Sequence, residues 1–293
     1  MSERDRLAPA DCTVIDGFRC YAPALAGDYA DYPSEGFDLT ARLEESSFWC
    51  RTRNRVLRTV FRRFASRGRT LDVLEIGCGT GTVLSGLREL PFLNLTGSEI
   101  YLQGLRYARQ RLPGVEFIQL DATDIPFEQA WDVIGAFDVL EHVEADELVM
   151  RQVYAALRRD GLFIVTVPQY QWMWSRLDEL VHHKRRYSRR DLSRKLRAAG
   201  FDVIYATSFV TMLFPLMMAT RLRDRSRPAT ADAGAELKAR VSLPAPINTL
   251  FDWIMRIDEA ALRAGLSLPF GGSLLVVARR SAVGPNHAAT SAT

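Results

Sequence analysis

The chain has 293 residues, 47% of them hydrophobic and 25% charged, the profile of one globular domain or of a domain with an elaboration. A net charge of +3 is too small to argue for a nucleic-acid partner, and four cysteines without a CxxC pair exclude a disulfide framework or a zinc ribbon. The polar start MSERDRLAPA predicts no secretory leader and no apolar run reaches the roughly 18 residues of a spanning helix, so the expected location is the cytoplasm.

Residues 1–38, rich in Gly, Pro, Asp and Tyr, read as irregular. Residues 39–66 read as a helix, because Leu43, Val56, Leu57, Val60, Phe61 and Phe64 build an apolar stripe that Gly68 ends. The period then shortens. LDVLEIG (71–77) reads as a strand, 81–90 as a helix, NLTGSEI (94–100) as a second strand, 101–111 as a helix and VEFIQLD (115–121) as a third strand. WDVIGAFDVL (131–140) reads as the fourth strand, 145–159 as a helix and GLFIVTVP (161–168) as the fifth strand. After a polar irregular stretch, 191–199 reads as a helix, FDVIYAT (201–207) as the sixth strand and GGSLLVVARR (271–280) as the seventh. Short apolar strands alternating with helices specify a doubly wound α/β domain, a mostly parallel sheet covered on both faces, with ligands beyond the carboxyl ends of the strands. Between the last two strands lie two hydrophobic helical segments, near 209–222 and 247–264, joined by DRSRPATADAGAELKAR, which reads as exposed and mobile. The tail VGPNHAATSAT reads as disordered.

LEIGCGTG (74–81) closes the first strand and opens a helix. Its three glycines allow a tight turn and close backbone approach to a ligand. The spacing is not that of the dinucleotide fingerprint, and Glu75 would repel a pyrophosphate but attract an ammonium group. Glu99, at the tip of the second strand, suits the two hydroxyls of a ribose, and Asp121, after the third, suits an exocyclic amine. No phosphate-binding residues accompany them. One ribose, one adenine and an amino-acid tail without phosphate describe S-adenosylmethionine. Cys78, among glycines and without a nearby base, reads as a small packing residue rather than a nucleophile.

VLEIGCGTG, GSEI, LDATDIPF, FDVLEHVE and GLFIVTVP, in that order, resemble the signature blocks of class I S-adenosylmethionine-dependent methyltransferases over roughly residues 45–207. The resemblance implies a three-layered fold with a seven-stranded sheet of order 3-2-1-4-5-7-6, the seventh strand antiparallel. It implies that Glu75, Gly77, Cys78, Gly79 and Gly81 line the methionine moiety of the cofactor, that Glu99 holds the ribose with Ile100 beside the adenine, that Asp121 and Ala122 meet the adenine edge, and that Phe137 sits near the tip of strand four. Related enzymes use a helix like the one holding Phe48, Trp49, Arg51, Arg53 and Asn54 as a cover, so Arg53 is a candidate partner for the cofactor carboxylate. The implied organisation is an irregular segment with a cover helix (1–69), a cofactor-binding core (70–207), a helical insertion (208–270), a final core strand (271–280) and a tail (281–293). HKRRYSRRDL, LPAPINTLFDW and LSLPFGGSLLVVARR resemble a bacterial subgroup whose substrates are mostly unassigned.

DVLEHVE (138–144) follows the fourth strand and faces the crevice. Asp138, Glu141 and His142 share one face if the backbone is helical there. His142, His182 and Asp138 are the candidate catalytic groups, His142 as a base or substrate contact. No metal is expected. The alternative is Mg²⁺ or Mn²⁺ on Asp138, Glu141 and His142, with His182 or His183 as a fourth ligand. Ubiquinone-pathway O-methyltransferases and small-RNA terminal methyltransferases resemble this stretch with ExxEH, where this chain has DxxEH. A third reading is a polar helix start lining a cleft. In 172–190, Asp178, His182, His183, Arg186 and Tyr187 are candidate acceptor contacts, and the basic run suggests an anionic group.

In the insertion, Leu213, Phe214, Leu216, Met217 and Met218 precede Arg221, Arg223, Arg225 and Arg227. A lid or a dimer interface is the preferred reading, and a peripheral contact of 209–264 with an anionic membrane the alternative, which Phe251 and Trp253 also fit. The expected activity is methyl transfer from S-adenosylmethionine to a small molecule, a hydroxyl on an apolar, lipid-like or secondary-metabolite acceptor, by a monomer or homodimer. N- or C-methylation of a small molecule or protein, and a cofactor-binding scaffold without transfer, stay open. FDVLEHV stands where base N-methyltransferases carry NPPY or DPPY, so no nucleic-acid substrate is expected.

Overall fold

The computed structural model describes residues 12–27, 37, 41, 44, 47–66, 68–224 and 242–281. Most of 39–47, Leu43 included, lies outside them, as do the link after Asp224, Arg225 and Arg227 included, and the tail beyond Ser281.

Among the described residues, one sheet of nine strands organises the fold, two more than the seven expected. The additional pair is a hairpin, β1 (Thr13–Ile15) and β2 (Phe18–Cys20), inside a segment read as irregular. Asp16 and Gly17 both take positive φ at its turn, the chemistry a two-residue hairpin demands. β2 then extends the sheet by pairing in parallel with β5 (Glu116–Gln119). The other strands are β3 (Leu71–Ile76), β4 (Leu93–Glu99), β6 (Trp131–Phe137), β7 (Leu157–Pro168), β8 (Phe201–Phe209) and β9 (Ser273–Arg280). Across the sheet they stand in the order β1-β2-β5-β4-β3-β6-β7-β9-β8, with β9 antiparallel to both its neighbours.

Both faces of the sheet are covered, and alternation along each strand divides the core in two. Leu71 and Val73 of β3 join one apolar cluster, Leu74 and Ile76 the other. The first cluster takes Val56, Leu57, Val60 and Phe61 of α1 (Phe48–Phe64), residues of α2 (Thr82–Leu87) and α3 (Leu102–Arg111), and Met255 and Leu262 of α8 (Ala245–Arg263). The second takes α4 (Asp146–Ala156) and α6 (Arg189–Ala198). α4 ends three residues short of its expected limit. Arg158 is drawn into extended chain by Asp72, at 3.0 Å, and Asp132, at 2.8 Å, and so extends β7 backwards. The stretch after β7 is also more ordered than its composition suggested, holding a 3₁₀ turn (Gln171–Met173) and α5 (Arg176–Leu180), which Ser175 and Asp178 close in a capping box. α7 (Phe214–Asp224) and α8 form the described part of the insertion.

α1 and α8 are joined by ions as well as by oil. Arg55 reaches Glu259 at 2.8 Å and Asp252 at 3.0 Å, and Arg51 reaches Asp252 at 3.2 Å. α1 and α8 therefore lie together on one face of the sheet.

Candidate functional site

The glycine turn begins where β3 ends. Gly77 holds φ +65°, and a Cβ there would stand 2.7 Å from Val139, so both backbone and neighbour demand glycine. Gly79 holds φ +52°, and the position of its missing Cβ is open space, leaving the turn accessible to a ligand. Cys78 is buried between them, and burial holds its thiol well above the usual range, as a packing role requires.

Two buried glutamates face this turn. Glu75 is 2% exposed on the α1 side of β3. Its Oε2 has no hydrogen-bond partner. Burial pushes its pKa well above the ordinary carboxylate value despite the opposing pull of Arg53. A buried, half-satisfied carboxylate beside an open glycine turn fits the ammonium group of an amino-acid tail. Glu99, at the end of β4, accepts from Gly79 N at 3.0 Å with one oxygen and from Ile100 N at 2.8 Å with the other. It links the end of β4 to the glycine turn, and burial raises its pKa as well. Ile100 is half-buried behind it, and its carbonyl accepts from the buried Gln119 amide at 3.0 Å. Asp121 and Ala122 are half-buried after β5, and Asp121 Oδ1 caps its own turn by accepting from Thr123 N at 2.8 Å. Phe137 is buried at the end of β6.

Glu44 was not foreseen. Its Oε2 accepts from Thr80 Oγ1, from Thr82 Oγ1 and, at 3.1 Å, from Arg111, fastening the cover segment to the glycine turn. No motif marks that residue.

Asp138 turns the chain off β6 with φ +60°, a conformation costly for a residue with a side chain. It is held by Arg53 Nη1 at 2.9 Å and Thr166 Oγ1 at 3.2 Å. Burial lowers the Arg53 pKa, but the Asp138 carboxylate outweighs it and keeps the guanidinium charged, while Trp49 stacks on it at 4.6 Å. The arginine expected on the cofactor carboxylate thus engages the aspartate expected in catalysis.

A second cluster lies just beyond. Glu141 is completely buried, and neither carboxylate oxygen has a well-formed hydrogen bond. Burial, then the nearby Asp138 charge, push its pKa well above the ordinary value. His183 Nε2 stands 3.9 Å from Glu141 Oε1, and the His142 and His183 rings meet edge to face at 4.7 Å. Burial and the neighbouring His183 lower the His142 pKa to about 3, so this imidazole is neutral. His183 Nδ1 is paired with Asp178 Oδ1 at 2.9 Å, and Arg186 grips both Asp178 oxygens at 2.7 and 3.2 Å. Burial pushes the Asp178 carboxyl up, but His183 and Arg186 outweigh it and hold it below the usual range. The cluster is Glu141, His142 and His183, not the Asp138, Glu141 and His142 set that spacing suggested. Residues 138–144 do not form a helix, so i, i+4 facing does not apply, and His182 is exposed with φ +59°. The basic run is also not a free anion site, because Arg185 pairs with Asp146 at 3.1 Å and Arg186 with Asp178.

An aromatic group rims the carboxyl end of β7. Tyr170 stacks on Trp172 at 5.5 Å and lies 5.7 Å from Phe214, which lies 5.9 Å from Phe270. Trp172 and Phe270 are about half exposed, at 50% and 45%. Arg186 ties this rim to the cluster by donating to Gln169 O at 3.2 Å while it grips Asp178. On α8, Ile247, Leu250, Trp253 and Ile257 form an exposed apolar stripe. No helix among the described residues is long and apolar enough to cross a membrane.

Comparison with known proteins gives a family described as a methyltransferase domain, matched over residues 47–206. A probable S-adenosylmethionine-dependent methyltransferase of Mycolicibacterium smegmatis is 28% identical over 55% of this chain and 62% of its own length. A fatty-acid O-methyltransferase of the same organism is 35% identical over 32% of this chain and 36% of its own length. The chain therefore spans less than two thirds of each of these relatives. Among solved structures, a Haemonchus contortus phosphoethanolamine N-methyltransferase in complex with S-adenosyl-L-methionine shares the fold, with a TM-score of 0.55 at 18% identity over 87% of this chain and 59% of that one.

Proposed function

Since the chain belongs to the class I S-adenosylmethionine-dependent methyltransferase family, we propose that it methylates a hydroxyl on an apolar, lipid-like small molecule. The observation that carries this reading is the aromatic rim of Tyr170, Trp172, Phe214 and Phe270, in which Trp172 and Phe270 are about half exposed, tied through Arg186 and Asp178 to the Glu141, His142 and His183 cluster. An apolar entrance next to a polar cluster suits a molecule that is greasy over most of its length and bears one reactive oxygen. Relatives that include a fatty-acid O-methyltransferase support the same class of acceptor.

S-adenosylmethionine supplies an activated methyl group, so the protein has mainly to align donor and acceptor and to take up a proton. Glu75 and the glycine turn are suited to its amino-acid tail, Glu99 and Ile100 to its ribose and adenine, and Asp121 and Ala122 to the adenine edge. Asp138, held by Arg53 and Thr166, follows the end of β6 three residues before Glu141 of the cluster. The exposed stripe of α8 supports a further element of the reading, that the protein collects its acceptor from an apolar aggregate or a membrane surface.

A homologous series of long-chain alcohols with labelled S-adenosylmethionine tests the acceptor class. Each methylene buried at the rim contributes about 0.8 kcal/mol, so kcat/KM rises about fourfold per carbon until the rim is covered. Trp172→Ala flattens that rise. A series with no dependence on chain length, or a preference for small polar amines, contradicts the proposal.

A further inference from the structure

Glu141 poses a physical problem that methyl transfer alone does not solve. A carboxylate with no exposure and no well-formed hydrogen bond on either oxygen is costly to bury. It must hold a proton or meet a cation. Two imidazoles face it, and one donor atom from each of Glu141, His142 and His183 lies within 4.8 Å of the others. The His183 ring is already oriented from behind. Its Nδ1 is held by Asp178, which leaves Nε2 directed at Glu141. Asp178 is itself fixed by the Arg186 fork and by the Ser175 amide at 2.9 Å. A carboxylate behind a histidine, setting its tautomer and direction, is the arrangement that supports metal-binding imidazoles.

We propose that Glu141, His142 and His183 form a binding site for a divalent transition-metal ion of the zinc class, with Asp178 as the residue that positions His183. Two imidazoles and one carboxylate favour such an ion over Mg²⁺, which prefers an all-oxygen set with several waters. Asp138 takes no part, because Arg53 and Thr166 hold its carboxylate. Binding draws the three donors closer, to about 2.0–2.2 Å from the ion. Three protein ligands leave one position open. That this position receives the acceptor oxygen rests on the O-methylation reading above; the binding of the ion does not.

The test uses the full chain, stripped with a chelator and titrated with Co²⁺ followed by visible absorption, and with Zn²⁺ by calorimetry. Binding of S-adenosylhomocysteine is measured on every sample. The expected result is one equivalent of Co²⁺ with d–d bands that Zn²⁺ abolishes. His183→Ala and Glu141→Gln lose this signal while S-adenosylhomocysteine still binds. Asp178→Asn weakens the ion by roughly 10- to 100-fold, and Asp138→Asn leaves it unchanged. A wild-type chain that binds S-adenosylhomocysteine but no stoichiometric Co²⁺ or Zn²⁺ overturns the site and leaves the methyltransferase reading standing. So does a His183→Ala variant that binds the ion as tightly as the wild type, or an Asp138→Asn variant that abolishes binding.

Discussion

Glu75 carries the clearest single-residue consequence. Its folded pKa lies well above the unfolded one, because burial disfavours the charged form. Between those two values the folded protein binds more protons than the unfolded chain, so the contribution of Glu75 to stability falls as pH rises, from about pH 4.5 upward. An ammonium group placed at Oε2 favours the anion. Binding of S-adenosylhomocysteine is therefore expected to release a proton and to tighten with pH across that window. Calorimetry in buffers of different ionisation enthalpy measures the proton directly, and Glu75→Gln should abolish the release. Uptake of a proton, or the same release from the variant, would contradict the assignment. At this scale sequence spacing located the glycine turn, Glu75 and Glu99, because those residues are consecutive with the strand tips that place them. It could not pair Arg53 with Asp138, 85 positions apart, nor bring Glu44 onto Thr80. Spacing put Asp138, Glu141 and His142 on one face only for a helical backbone at 138–144, where the chain makes turns.

Among the elements, the contact of α1 with α8 decides whether the insertion stays on the body. Arg55 is largely buried there between Asp252 and Glu259. Arg55→Ala leaves two acids short of a partner and should cost on the order of 3 kcal/mol, the low end for a broken buried pair because Arg51 and Arg263 remain. Urea unfolding gives that number, and hydrogen exchange should rise first in 245–263. An unchanged midpoint with unchanged exchange would show that apolar packing alone holds α8. Most strands were legible, since four to seven apolar residues bounded by glycine or a charge leave little choice of period. The β1–β2 hairpin was not, although Asp16–Gly17 is a hairpin turn signal, because the flanking strands are only three residues each. The end of α4 was misplaced because Arg158 answers to Asp72 and Asp132 on distant strands, a tertiary demand that local propensity does not contain.

Over the whole molecule, the nine-stranded sheet sets two chemistries side by side at its carboxyl edge. β3, β4 and β5 present the glycine turn, Glu99 and Asp121, while β6 and β7 lead into the histidine cluster and the aromatic rim. Among the described residues, the exposed large hydrophobic side chains apart from Val14 lie after β7 and on the insertion, where Trp253 is 63% exposed. That asymmetry is the basis for an apolar acceptor, and composition alone could not reveal it, since the apolar fraction of the chain is ordinary. The most direct measurement is incubation with methyl-labelled S-adenosylmethionine and a total lipid extract, followed by phase separation and identification of the labelled bond. The account predicts label in the organic phase, on oxygen, and none after Glu99→Ala. Label confined to water-soluble amines or to protein, or organic-phase label on nitrogen or carbon, would contradict it.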